Sequence, residues 1–245
     1  GYCKTCECCY SGDHNLCEDR VAIFVGRNGG FADKVRVQDL SAIPVPDGLD
    51  PRTAGPLMCG GITVFNPFVQ YDIKPTDKIA IFGIGGLGHM AIKFAKAWGC
   101  EVTAITGSES KIEEAKSYGA HRVVISDDID ALKKLKRSFD YIFFTGHAFK
   151  GKWSLFMNAL RPKGRLHFLG LLSEPLNISM FNLLRGQNSI SASPVGGPEA
   201  MKRMLDFCNL HSITPEVEFF KMSEINKAIE RLKSGEARYR LVLEN

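Results

Sequence analysis

From residue 78 onward, short apolar blocks alternate with longer mixed stretches. Lys78-Ile79-Ala80-Ile81-Phe82 has the composition of a buried strand, and residues 89–98 read as a helix that Gly99 stops. Residues 101–106 predict a second strand and 110–118 its helix. Ser110 and Glu113 form an S-x-x-E capping box there, and Gly119 ends it. Further strands are expected at 122–125, 140–145, 165–169 and 189–193. Strands alternating with helices imply an α/β fold with a doubly wound parallel sheet. No internal repeat or low-complexity tract interrupts this rhythm, and no apolar run is long enough to span a bilayer.

Between the first strand and its helix lies Gly83-Ile84-Gly85-Gly86-Leu87-Gly88. Strand, G-x-G-x-x-G, helix is the dinucleotide fingerprint of a Rossmann sheet. Gly83 makes the tight turn, Gly85 lets backbone approach a pyrophosphate, and Gly88 lets helix and strand pack closely. Gly86 and Leu87 complete the loop, and the helix N-terminus faces the phosphate charge. A purely structural strand–helix turn is the competing reading. A site for NAD places Asp or Glu at the end of the second strand. Here that position reads Thr106-Gly107-Ser108-Glu109-Ser110-Lys111. The Ser108 hydroxyl, the loop N–H groups and the Lys111 ammonium suit a 2′-phosphate, so NADP(H) is expected over NAD(H). Glu109 argues against it, since swung inward it would repel that phosphate. An exposed lysine in a first helical turn is the other reading of Lys111.

Cys3, Cys6, Cys9 and Cys17 are spaced C-x2-C-x2-C-x7-C, with Gly12, Asp13 and Asn15 as turn residues between the last two. Four thiolates can close a tetrahedral shell around Zn2+ and leave no open position, which makes such a zinc structural. Two disulfides or a redox pair are the alternatives. Cys8 falls outside the spacing, while Cys59, Cys100 and Cys208 are scattered and read as free thiols. This usage predicts a reducing, cytoplasmic compartment.

The 245 residues leave room for one large or two modest domains, and a net charge of +4 is too small to imply nucleic acid. The run Lys133-Lys134-Leu135-Lys136-Arg137 reads as a solvated helix face. The chain opens at Gly1 and enters the cysteine motif at once, so a fragment or trimmed product is expected.

Together these motifs make the chain resemble a zinc-containing medium-chain alcohol dehydrogenase, most of all the cinnamyl alcohol dehydrogenase branch. The resemblance is carried by Ser11-Gly12-Asp13-His14-Asn15-Leu16-Cys17, Pro56-Leu57-Met58-Cys59-Gly60-Gly61-Ile62-Thr63-Val64, Gly85-Gly86-Leu87-Gly88-His89-Met90-Ala91 and Arg238-Tyr239-Arg240. It implies a Rossmann domain at 59–196 inserted in a partial GroES-like β-barrel catalytic domain. Residues 1–58 would supply that domain with its zinc lobe, and 197–245 would return to it. It also implies Cys59 as a ligand of a second, catalytic zinc, and Thr63 near the nicotinamide. Thr145, Gly170 and Ser193 would line the cofactor groove, and the strand at 189–193 would form the edge used for a homodimer. The implied reaction is hydride transfer between NADP(H) and a small-molecule aldehyde or alcohol, with no nucleic acid or membrane as partner.

In that family the remaining catalytic-zinc ligands are a Cys and a Gly-His-Glu segment upstream of the cysteine knuckle, and nothing in this chain imitates them. The six histidines are isolated in sequence, and each reads as a satisfied or exposed side chain rather than a ligand. The expectation is a chain that binds NADP(H) but turns over little, with exposed apolar surface that favours self-association. Two rivals stay open: a non-enzymatic, zinc-stapled nucleotide-binding or redox-sensing protein, and a zinc-independent quinone oxidoreductase. Trp153 and Phe181 read as core packing.

Overall fold

The structure is a computed structural model and describes residues 1–147, 149 and 151–245. The chain divides into two compact units, Pro67–Ser193 and a second made of Gly1–Asn66 with Pro194–Asn245. The divisions fall eight residues inside the expected 58/59 and three inside the expected 196/197. Gly61 lies against Met204, where a Cβ would be 3.2 Å from Sδ, and Asn66 Nδ2 donates to Val195 O at 3.0 Å. Residues 59–66 therefore pack with the returning C-terminal segment.

In the 67–193 unit six parallel strands form one sheet: β1 Lys78–Phe82, β2 Glu101–Thr106, β3 Arg122–Ile125, β4 Phe139–Phe144, β5 Leu160–Phe168 and β6 Ser189–Ala192. Their order is β3-β2-β1-β4-β5-β6, the doubly wound order. Both central strands are apolar on both faces, as a sheet covered on two sides requires. β5 starts five residues earlier than the pattern at 165–169 suggested, because Leu160 pairs with Phe139 across an irregular register. An aromatic cluster fills one side of the sheet. Phe82 and Phe144 stack at 4.5 Å, and Phe156, Phe149, Trp153 and Phe168 close around them. Trp153 thus packs in the core, whereas Phe181 is exposed.

The helix Gly88–Trp98 ends where expected. Gly99 adopts φ +98°, and the N–H groups of Gly99 and Cys100 return to Lys96 and Ala95. The segment after β2 differs from its expected form. Glu109–Lys111 is a 3-10 turn, and the α-helix runs only over Ile112–Ser117. The Ser110–Glu113 capping box does not form. Ser110 sits inside the turn with its hydroxyl 2.7 Å from that of Ser108, and Glu113 accepts from Lys116.

In the other unit the strands among the described residues are β7 Val217–Lys221 and β8 Arg240–Glu244, paired in parallel. Helices Pro51–Pro56, Pro198–His211 and Ile225–Lys233 accompany them, and the N-terminal cysteine lobe contributes the short helix Glu7–Tyr10. Residues 20–38 form no helix or strand and expose Phe24, Val25, Phe31 and Val35. Among the described residues, no helix is long and apolar enough to cross a membrane.

Candidate functional site

The strongest candidate site lies along the C-terminal edge of the six-stranded sheet. Gly83 leaves β1 with φ +87°, a backbone region that costs an L side chain about 1–2 kcal/mol, and its N–H donates to Ile105 O at 2.9 Å. Gly88 opens the following helix. A Cβ there would stand 1.8 Å from Gly83 O, so no other residue fits without moving the backbone. Gly85 has nothing within 4 Å of its Cβ position, which leaves the loop backbone open on that side. The loop is a narrow turn, closed on its inner side and open on its outer side, that leads into an 11-residue helix. That combination fits a pyrophosphate approaching backbone N–H groups.

Two side chains brace the turn from inside. Thr145, just after β4, lies 3.0 Å from Phe82 O and 2.9 Å from Gly83 O through its hydroxyl. His89 is fully buried, and its Nδ1 donates to Gly85 O at 2.8 Å. A carbonyl only accepts, so this bond fixes the proton on Nδ1. Sequence reasoning treated His89 as an isolated histidine. Its i,i+4 relation to Gly85 was the available signal.

At the end of β2, Thr106 is buried and accepts the Ser108 N–H at 3.2 Å. Gly107 passes close to Ser126, Ser108 meets Ser110, and the Lys111 ammonium reaches back to Ile84 O in the glycine loop at 2.5 Å. Two hydroxyls and one ammonium therefore gather beside the loop, and Glu109 is exposed. Farther along the edge, Gly170 follows β5, where a Cβ would press on Gly146 O at 3.2 Å and Thr145 O at 3.4 Å. Ser193 follows β6, and its hydroxyl is 3.1 Å from His167 Nε2.

The unit that holds the chain termini carries two cysteine sites. Cys3, Cys6, Cys9 and Cys17 bring their Sγ atoms within 4.8 Å of one another, and none is in a disulfide. Cys3 and Cys9 sulfurs are 3.8 Å apart. That equals the edge of a tetrahedron with Zn–S bonds of about 2.3 Å, about 3.8 Å, and is far beyond a sulfur–sulfur bond. Backbone N–H groups of Thr5 and Cys6 point at the Cys3 sulfur at 3.4 and 3.3 Å, contacts that favour the thiolate form that binds metal. The donor set fits a closed structural zinc, and Cys8 is not part of it.

Cys59 is exposed on a π-helical turn, Leu57–Gly61. Thr63, one turn on, is buried and donates its hydroxyl to Cys59 O at 2.7 Å. The Arg240 guanidinium presses against Gly60, where a Cβ would be 2.5 Å from Nη2, and burial lowers its pKa. Among the described residues, the four-thiol lobe is the one group of three or more metal-type side chains, and Cys59 has no such companions. A zinc with an open position takes three protein ligands, so the donors present among the described residues do not fit a catalytic zinc.

Residues 86–209 match the family described as zinc-binding dehydrogenase. An aldehyde reductase of Synechocystis is 49% identical over 243 residues, which is 99% of this chain and 72% of that protein. A probable cinnamyl alcohol dehydrogenase of Arabidopsis thaliana is 36% identical, over all of this chain and 70% of that one. Among solved structures, a cinnamyl alcohol dehydrogenase of Sorghum bicolor superposes with a TM-score of 0.92 at 34% identity, covering 99% of this chain and 72% of that one. An enzyme of the same name from Helicobacter pylori, solved with NADP(H), gives 0.84 at 26% identity over 99% and 72%. With its nucleotide sheet, glycine loop and four-thiol lobe, this chain belongs to the zinc-binding medium-chain alcohol dehydrogenase family.

Proposed function

We propose that this chain serves the NADP(H)-linked interconversion of an aldehyde and its alcohol, and that its edge of glycines and hydroxyls is the cofactor site. The observation that carries this reading is the glycine turn closed by Gly88 against Gly83, with Ser108, Ser110 and Lys111 beside it. Gly83, Gly85, Gly86, Leu87 and Gly88 would hold the pyrophosphate. Thr106, Gly107, Ser108 and Lys111 would receive the 2′-phosphate, and Thr145, Gly170 and Ser193 would flank the nicotinamide half. Such a cofactor brings hydride transfer at nicotinamide C4. The protein's part is to orient that ring and to neutralise phosphate charge with one ammonium and fixed N–H dipoles. Lys111, bonded to Ile84 O, would exchange a neutral carbonyl for a dianion.

Cys59 is proposed as one ligand of a catalytic zinc whose other ligands the described residues do not bring to it. Alone, the chain would bind cofactor and turn over little. β6 pairs with β5 on one side, and Met180, Phe181 and Leu184 are exposed on the helix that precedes it, which supports a homodimer along this edge. Eight free cysteines suit a reducing compartment such as the cytoplasm. Titration with NADPH and NADH, followed by nicotinamide fluorescence, tests the cofactor reading. It predicts at least about tenfold tighter binding of NADPH, the worth of a charge-assisted hydrogen bond. Tighter binding of NADH would contradict it.

A further inference from the structure

His167 lies within β5, fully buried, yet both of its ring nitrogens are bonded. Nδ1 is 2.8 Å from Ser191 Oγ, and Nε2 is 3.1 Å from Ser193 Oγ. The register explains why one ring reaches both. Ser191 stands opposite His167 across the β5–β6 ladder, and Ser193 lies two residues on, the spacing that returns a side chain to the same face. Tyr71 and Phe143 pack edge-on or tilted against the ring at 5.2 and 5.7 Å, so it has little room to turn. Burial penalises polar groups that lack partners, and the two serines supply the partners that let an imidazole stay at this core position.

Burial, then the nearby Arg165, pushes the His167 pKa down to about 4, which keeps the imidazole neutral near pH 7. A neutral imidazole has one N–H and one lone pair. One serine must then accept from the ring and the other donate to it. If Ser193 donates, its oxygen is left as a fixed acceptor; if it accepts, its O–H is left as a fixed donor. Either way the ring sets the hydroxyl of a residue that sits just past β6. That is the same edge of the sheet as Gly83, on the β4-β5-β6 side of it. In a sheet of this order the two halves of a dinucleotide lie on either side of β1, so this side receives the nicotinamide. A carboxamide on that ring offers both an N–H2 and a C=O, and can pair with either form of Ser193.

We propose that His167 is a positioning residue that holds the Ser193 hydroxyl to hydrogen-bond the nicotinamide carboxamide. The proposal rests on the cofactor reading above. It predicts an effect on the nicotinamide half of the ligand alone. The test is binding of two probes, NADPH and adenosine 2′,5′-bisphosphate, to the 245-residue chain and to His167→Leu, Ser193→Ala and the double variant. His167→Leu and Ser193→Ala should each weaken NADPH about three- to tenfold, the worth of one hydrogen bond. Both should leave the bisphosphate unchanged, and the double variant should be no weaker than either single one, because the two act as one device. Ser193→Ala removes a single hydroxyl from a partly exposed residue, so it keeps the test decisive if His167→Leu does not fold. NADPH binding unchanged in Ser193→Ala overturns the proposal. So does equal weakening of both probes, which marks a merely structural role. Failure of the unsubstituted chain to bind either probe would overturn the proposal and the cofactor reading together.

Discussion

The four-thiol lobe and the Cys59 turn both belong to the unit that holds the termini, and both present thiols suited to zinc, yet they differ in completeness. The lobe draws its donors from 15 consecutive positions, Cys3 to Cys17, so tight turns alone gather them within 4.8 Å. Cys59 stands exposed with the half-buried Arg240 guanidinium against the next residue and, among the described residues, is in no group of three or more metal-type side chains. The closed shell is built locally here, whereas the Cys59 turn offers one donor toward the three protein ligands that a zinc with an open position takes. The glycine cradle resembles the lobe in this respect. Its key contacts, Gly83 to Gly88 and Lys111 to Ile84, span fewer than about 30 residues, the length of one strand–helix–strand unit.

The contrast can be broken first at the lobe. Cys17→Ala removes a fully buried sulfur from the shell. It should release the bound zinc and open the first 20 or so residues to protease, because small metal lobes fold with their ion. A lobe that stays resistant and retains zinc would contradict the closed-shell reading. The next effect lies in the cradle. Gly88→Ala places a Cβ 1.8 Å from Gly83 O and should cost the nucleotide unit about 3 kcal/mol in urea unfolding, with loss of NADPH binding. A neutral result would mean that the turn can shift.

His167 gives a pH signature. Its pKa is depressed to about 4 in the folded chain against about 6.5 unfolded, so the unfolded state binds the extra proton first. Stability should therefore be fully present above about pH 6.5 and fall as pH drops toward 4, by up to about 3 kcal/mol, with no further loss from this group below that. His167→Leu should flatten that slope in denaturant unfolding followed from pH 7 to pH 4. An unchanged slope would place the titration elsewhere. The smallest effect is at Lys111. Lys111→Ala should weaken NADPH about tenfold and leave NADH within about twofold, read by fluorescence titration.

What the sequence disclosed follows the same division between local and distant. β1, β2 and β3 could be read from short apolar runs, and the Gly99 cap from one residue. The start of β5 at Leu160 could not, because Arg161, Pro162 and Lys163 look unlike a strand and fall in the irregular stretch between the Leu160–Phe139 and Arg165–Tyr141 pairs. The Ser110–Glu113 box looked sound in sequence but lost to a 3-10 turn that gives Ser110 a nearer partner in Ser108. The family resemblance implied that Ser193 lines the cofactor groove. That His167 holds the Ser193 hydroxyl follows from strand register across 26 residues, which no local pattern encodes. Arg240 beside Gly60 is likewise a contact between opposite ends of the chain.

Metal content tests the central contrast most directly. Elemental analysis of the purified 245-residue chain should give one zinc per chain, unchanged in Cys59→Ser and lost in Cys17→Ala. Two zinc ions per chain, with one removed by Cys59→Ser, would show that Cys59 does find partners here and would contradict the account.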